Sequence, residues 1–370
     1  MRGKIVFNGN GGGELIERVA PLLKAPDGGS PQVLLVTAAW GPGEYGEGGI
    51  TEALYGQGVR PRMEGGFDQA VTNLCAWHVW TAFLQRRPDV ARVCAEVDAA
   101  RSIIRGWYQE RTRFDAEMVR QAAALSRQRS RRFRLGALGN REPIGPDAVR
   151  SGAELVSLAL GREILASVET LVQNDVRMLD SLVQAELQVL ARTGLRLDPD
   201  WQAERARMSD RILAADVIFF FGGSPTSLLE PLRFFDLQPA LLEALRRGAT
   251  FVCSSAGALV MCERMIVFDD RNPDPINRHF QLLDRGLGLV GGLQVLPHCM
   301  DRIHTDDPDN LAYLARRFGD RLCVGLNRES YLLMDLARQT ATSFGNDGVY
   351  VFAADGVKRR YERGEELGLA

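Results

Sequence analysis

The chain has 370 residues, 45% of them hydrophobic and 25% charged, with a formal net charge of −2. That length and apolar content allow one large domain or two smaller ones with an ample core. The near balance of charge excludes a globally basic surface for nucleic acid or anionic membrane. No apolar run approaches the ~20 residues needed to span a bilayer. The opening Met1-Arg-Gly-Lys-Ile-Val-Phe runs directly into a strand instead of reading as a secretory leader, so a cytoplasmic protein is expected.

Residues 4–7 and 32–39 read as two short buried strands, each followed by a glycine-rich turn. The first turn, Asn8 to Gly13, lacks the G-x-G-x-x-G spacing and has no Lys-Ser/Thr after it, so no nucleotide site is expected. The second, from Trp40 to Gly49, is a flexible segment at the same sheet edge, either lining a cleft or lying on the surface. From about Phe67 to Asp210 the character changes to helix formers and charge. Residues 88–134 read as helix, with Ile103, Ile104, Trp107, Phe114, Met118 and Leu125 available for burial. The segment 140–146, rich in proline and glycine, then breaks the pattern. Leu165, Val168, Val172, Val176, Leu179, Val183, Leu187 and Leu190 recur at helical spacing and mark a long amphipathic helix closed by Gly194 and Pro199. Arg127, Arg129, Arg131, Arg132 and Arg134 form a basic run without the interleaved aromatics that nucleic-acid stacking needs, and a solvated face is expected.

Three strand ends then carry the chemistry. Residues 215–221 are a buried strand ending in Gly222-Gly223-Ser224-Pro225, where paired glycines let backbone N–H groups approach a ligand. Residues 250–253 are a second buried strand, running into Ser254-Ser255-Ala256-Gly257. A serine on so tight a strand-to-helix turn needs small neighbours, although Cys253 stands where the strict G-x-S-x-G pattern has its first glycine. Residues 287–298 read as a strand ending on His298. Open α/β sheets place their active sites at this edge of the strands. The helix after the elbow is expected over 256–265. Asp269 and Asp270 beyond it are either substrate contacts or exposed loop acids. Strands follow at 322–326, 331–335 and 348–352, the last two joined by a turn at Asn346-Asp347-Gly348, and the charged tail 358–366 is expected on the surface.

The order Phe-Gly-Gly-Ser, Ser-Ala-Gly-Ala-Leu-Val-Met, Gly-Leu-Gly-Leu, Pro-His and Val-Gly-Leu-Asn-Arg-Glu-Ser resembles the dipeptidase E and cyanophycinase family of serine peptidases, over roughly residues 1–60 and 210–355. The resemblance implies an α/β fold with a mostly parallel, doubly wound sheet similar to class I glutamine amidotransferases. It implies a hydrolytic domain of residues 1–66 and 210–370, with 67–209 as a helical insertion that acts as lid, scaffold or dimerisation element. Ser255 is then the nucleophile, His298 the general base, and the amides of Gly223 and Ala256 the oxyanion hole. Gly222, Ser224 and Arg302 are expected to bind substrate, and Arg302 or Arg328 to meet a substrate carboxylate.

The acid departs from the family pattern: the usual position holds Arg328, and the carboxylate follows at Glu329. Glu329 is the expected triad acid, with Asp301 or an incomplete triad as the alternatives. Serine instead of cysteine at the elbow argues against glutamine amidotransfer.

The expected function is hydrolysis of a peptide, isopeptide or related amide bond in a small substrate, by a homodimer. A non-catalytic relative with a binding or scaffolding role is the alternative. No cofactor and no metal are expected. The histidines His78, His279, His298 and His304 make no ligand spacing with the cysteines; His78 is expected in a core or interface, and His304 is a rival base. Cys75, Cys94, Cys253, Cys262, Cys299 and Cys323 contain no C-x-x-C pair and are expected reduced and buried. Cys253 and Cys299, beside the two reactive residues, are candidates for unusual reactivity.

Overall fold

A computed structural model of the chain describes all residues except 12–13, 26–28, 65–66, 130–151, 269–279, 304 and 369–370. The expectations for Arg131, Arg132, Arg134, the break at 140–146, Asp269, Asp270, His279 and His304 lie outside the described residues, as do the side chains of Leu125, Arg127 and Arg129.

The protein is mixed α/β around a large central sheet. Across that sheet the strands run Glu366–Leu367, Thr340–Gly345, Ser330–Asp335, Lys4–Asn8, Thr250–Ser254, Val217–Phe220, Val33–Val36 and Val71–Asn73. From Lys4–Asn8 to Val71–Asn73 every pairing is parallel. On the other side of Lys4–Asn8 the pairings are antiparallel. The alternation of side chains explains why the parallel strands read as unbroken apolar runs. Ile5, Phe7, Leu34, Val36, Ile218, Phe220 and Phe251 join one core cluster, whereas Val6, Val33, Leu35, Val217, Phe219 and Val252 join another. Both faces are therefore buried, as a parallel sheet requires. Helices Pro225–Phe234 and Gln238–Arg247 supply Leu228, Leu232, Leu241 and Leu245 to the first cluster. The short helix Leu15–Val19 supplies Leu15, Ile16 and Val19 to the second.

A second sheet of four strands, in the order Leu293–Pro297, Leu322–Leu326, Val349–Phe352 and Lys358–Tyr361, stands beside the first. The histidine strand is parallel to its neighbour Leu322–Leu326, but both belong to this smaller sheet. The expectation of one sheet edge for serine, glycines and histidine is corrected accordingly.

Several elements differ from the sequence reading. The helix after the elbow stops at Met261, and Arg264–Phe268 is instead a strand paired with Phe280–Arg285. The histidine strand is shorter than expected, because Leu287 to Gly292 precedes it without strand pairing to the second sheet. Thr340–Gly345 is a strand the sequence reading passed over, and the Asn346–Gly348 turn leaves it for Val349 in the other sheet. Residues 358–361 of the expected surface tail are a strand as well. Val71–Asn73 is an edge strand of the central sheet, so helical structure begins at Ala76, later than the change of composition at Phe67.

Two helices of 42 residues each, Pro88–Arg129 and Gly152–Thr193, form the other large feature. Glu96 meets Arg192 at 2.6 Å while Asp115 meets Asn174 at 3.3 Å, so the two run antiparallel. The buried stripe of the second helix is Ile164, Val168, Leu171, Met178, Leu179 and Leu182. It is rotated from the expected stripe, whose Val176 and Leu187 face solvent. Gly194 closes this helix at φ 61°, in the left-handed region glycine adopts readily. Pro199 opens the next helix, behind the Asp198 cap whose carboxylate accepts from the Trp201 amide at 2.9 Å.

The pair docks through apolar contacts, Met178, Leu179 and Leu182 on Leu259, Ile266 and Leu282, and through charge. Arg101 bonds Asp284 at 2.5 Å and Glu230 at 3.0 Å, and Arg105 donates to the Leu283 carbonyl at 2.9 Å. Arg317 forks onto Asp175 with bonds of 2.7 and 2.6 Å, and both side chains are only 2% exposed. Among the described residues no helix is long and apolar enough to cross a membrane.

Candidate active site

Strand Thr250–Ser254 is wholly buried, and the chain reverses sharply at Ser255, which sits at φ 49° and ψ −107°. Such a conformation costs a non-glycine residue roughly 1–3 kcal/mol and persists only where surroundings enforce it. Here Asn8 enforces it from below. Its carbonyl accepts from the Ser255 amide at 3.0 Å, and its Oδ1 accepts from Ser254 Oγ at 3.4 Å. Its Nδ2 donates to the carbonyls of Arg328 and Ser330 at 2.9 and 3.0 Å. One buried amide thus ties the elbow to the loop before Ser330–Asp335.

The small residues around the serine are there for space. A Cβ on Gly257 would lie 2.2 Å from the Phe220 carbonyl oxygen, and one on Gly222 would lie 3.0 Å from Ser255 Cβ.

His298 follows the end of Leu293–Pro297 and is itself left-handed, at φ 54° and ψ 36°. Its Nε2 stands 3.0 Å from Ser255 Oγ. This is hydrogen-bond distance, so the structure brings together the two residues the sequence reading paired from separate strands. Asn327 holds the turn behind the histidine, its Oδ1 accepting from the Met300 amide at 3.1 Å and Cys299 Sγ at 3.3 Å.

The Gly222–Gly223 turn is cradled by the segment Ala38–Gly43. Gly223 has φ 137°, and a Cβ there would fall 2.5 Å from the Ala39 carbonyl oxygen, so glycine is required on both counts. The Ser224 amide donates to that same oxygen at 2.9 Å. Trp40 Nε1 donates to the Gly222 carbonyl at 3.0 Å. In a trans peptide the carbonyl of one residue and the N–H of the next point oppositely. Trp40 therefore fixes the direction of the Gly223 N–H.

Ser224 was expected to bind substrate. Its Oγ instead caps helix Pro225–Phe234, accepting from the Ser227 amide at 3.2 Å and bonding Ser227 Oγ at 2.9 Å. Glu329 was expected to orient the imidazole. Its carboxylate is engaged by Arg18 at 3.1–3.2 Å, and its amide donates to Asp347 at 3.1 Å. Burial, then Glu14, push its carboxyl above the usual range against the pull of Arg18. Asp301 and Arg302 lie in the short turn Cys299–Arg302 directly after the histidine, and the Asp301 amide donates to the His298 carbonyl.

The two candidate reactive thiols are corrected. Burial pushes Cys299 up to about 12 and Cys253 well above the ordinary thiol value, so neither offers a thiolate at neutral pH. His78 is half-buried, with Nδ1 at 2.9 Å from the fully buried Glu44 carboxylate. Among the described residues no cluster of metal-ligating side chains occurs.

A model of peptidase family S51 matches residues 172–338. Over that span, which is less than half of its length, the chain is similar to peptidase family S51. It is accordingly a serine peptidase-like enzyme, in agreement with the resemblance read from the motifs. Among solved structures, a peptidase from an acI-B1 Actinobacterium is 13% identical, with a TM-score of 0.48 over 100% of this chain and 97% of that one. A putative peptidase E protein from Listeria monocytogenes EGD-e is also 13% identical, with a TM-score of 0.24 over 48% of this chain and 77% of that one. At these scores neither likeness bears weight for fold or reaction. No curated protein matches the sequence.

The S51 span contains Gly222, Gly223, Ser255, His298 and Glu329 and leaves out Asn8 and Trp40. Those two, with Asn327, are the supporting residues that sequence reasoning missed. The available signal was a polar or aromatic residue just past the end of an apolar strand, which is too common to single them out.

Proposed function

We propose that this chain hydrolyses a peptide, isopeptide or related amide bond of a small substrate through an acyl-enzyme on Ser255. The observation that carries the reading is the 3.0 Å approach of His298 Nε2 to the hydroxyl of a serine held in a strained elbow. A serine hydroxyl is a weak nucleophile until a neighbouring base takes its proton. His298 takes that proton as Oγ attacks the carbonyl carbon, then delivers it to the leaving amine. Water, deprotonated by the same imidazole, releases the acyl group.

The developing oxyanion is received by the amides of Gly223 and Ala256. Each such donor typically contributes roughly 3 kcal/mol in the transition state, and Trp40 acts on the first of them as a positioning residue. Gly222 and Arg302 line the substrate side of this arrangement. The Glu329 carboxylate is bonded to Arg18, which weighs against Glu329 as the triad acid and leaves Asp301 or an incomplete triad as the other readings from sequence. The fold is assigned to the glutamine amidotransferase-like class. The hydrolytic domain is 1–66 and 210–370, and 67–209 is an insertion that also contributes the edge strand Val71–Asn73. The protein acts in the cytoplasm as a homodimer.

A peptide-library hydrolysis screen tests the reading. Turnover by wild type that disappears in both Ser255→Ala and His298→Ala, each folded, supports it. Turnover that survives in either variant overturns it, and a folded wild type that cleaves nothing returns the non-catalytic alternative.

A further inference from the structure

The face of helix Pro88–Arg129 turned away from its partner carries Ile103, Trp107, Phe114 and Met118, which are 74%, 67%, 67% and 48% exposed. They follow one another at spacings of four, seven and four residues, so they form one stripe along roughly 22 Å of helix. The adjoining side of the helix is already used: Val97, Arg101, Ile104 and Val119 pack against the rest of the molecule. A row of large apolar side chains standing in water marks a surface that is covered by something.

The order of residues says what covers it. The stripe is symmetrical about a point between Glu110 and Arg111: Trp107 and Phe114 are equidistant from it, and so are Ile103 and Met118. We infer that this face pairs with the same face of a second copy of the chain, antiparallel, about a two-fold axis passing between residues 110 and 111. In such an isologous contact residue i meets j and j meets i. Trp107 then packs on Phe114 of the other copy, and Ile103 on Met118. Glu110 and Arg111, both exposed, face their opposites across the axis. The charges complement one another in this register, whereas a parallel pairing sets Glu110 against Glu110 and Arg111 against Arg111. Arg113 bonds Glu110 within its own helix. Aromatic anchors flanked by polar residues are the usual composition of such contacts.

Sedimentation velocity on the full chain, with far-UV circular dichroism as the check on folding, tests the inference. Wild type sediments at twice the chain mass, and Trp107→Glu and Phe114→Glu each sediment as folded monomers. Glu110→Arg or Arg111→Glu alone weakens association by about ten-fold, and the double charge reversal restores it. A monomeric wild type, or a dimer that survives Trp107→Glu, overturns the surface. A double reversal no better than the single ones overturns the antiparallel register.

Discussion

The elbow region and the long helical pair both rest on buried apolar clusters, but what is added to that packing differs. Around Ser255 the chain is fixed by parallel backbone ladders, apolar clusters on both faces, and glycines that permit approaches no Cβ allows. The helical pair is attached by apolar packing of Met178, Leu179 and Leu182 on Leu259, Ile266 and Leu282, and in addition by guanidinium–carboxylate bonds with little exposure, Arg317 to Asp175 and Arg101 to Asp284. A site that must hold two side chains within hydrogen-bond reach is built on the first kind of framework. The second kind fixes where a helix sits but depends on every charge keeping its partner.

The largest effect is expected at the elbow. Gly257→Val places carbon against the Phe220 carbonyl, and a clash with backbone that cannot move away destabilises by more than about 4 kcal/mol. Chemical denaturation checks this, and a loss below about 1 kcal/mol would mean that the elbow is looser than described.

At the helical pair, Asp175→Ala strands the Arg317 guanidinium. Desolvation lowers the affinity of that group for its proton, but Asp175 and Tyr313 together more than offset this and raise it. Breaking a buried pair typically costs about 3–5 kcal/mol, and replacing both partners with apolar residues costs much less. If Asp175→Leu/Arg317→Met is as damaging as Asp175→Ala, charge is not what attaches the helices.

A smaller effect distinguishes positioning from structure. Trp40→Phe keeps the ring and removes the bond to Gly222, so kcat should fall by about ten-fold with KM and melting temperature little changed. An unchanged kcat would release Trp40 from its role. Smaller still, Glu329→Gln should alter kcat by less than about five-fold, because its carboxylate is bonded to Arg18. A loss of about 10³-fold or more would restore it as the acid that orients His298.

The same division explains what was legible in the sequence. Valine and phenylalanine runs at 33–36 and 217–220 announce buried parallel strands because both faces are apolar. Ser255 between Ser254, Ala256 and Gly257 announces a tight turn because bulk is excluded there. Thr340–Gly345 escaped notice because it alternates with Thr, Ser and Gly and borrows its register from Ser330–Asp335. The stripe of Gly152–Thr193 was misplaced because part of its buried face is polar: Asn174 and Asp175 are buried through partners on other elements, which no helical periodicity records. Trp40 and Asn8 act through backbone atoms remote in sequence, and only the fold brings those atoms to them.

The central claim is that the Ser255 hydroxyl is made nucleophilic by His298, and covalent labelling tests it most directly. A fluorophosphonate probe should attach to native wild type at a single residue, identified as Ser255 by mass spectrometry of the labelled peptide. Ser255→Ala and His298→Ala should remain unlabelled while folded. Wild type that stays unlabelled, or that carries the probe on any other residue, would contradict the account.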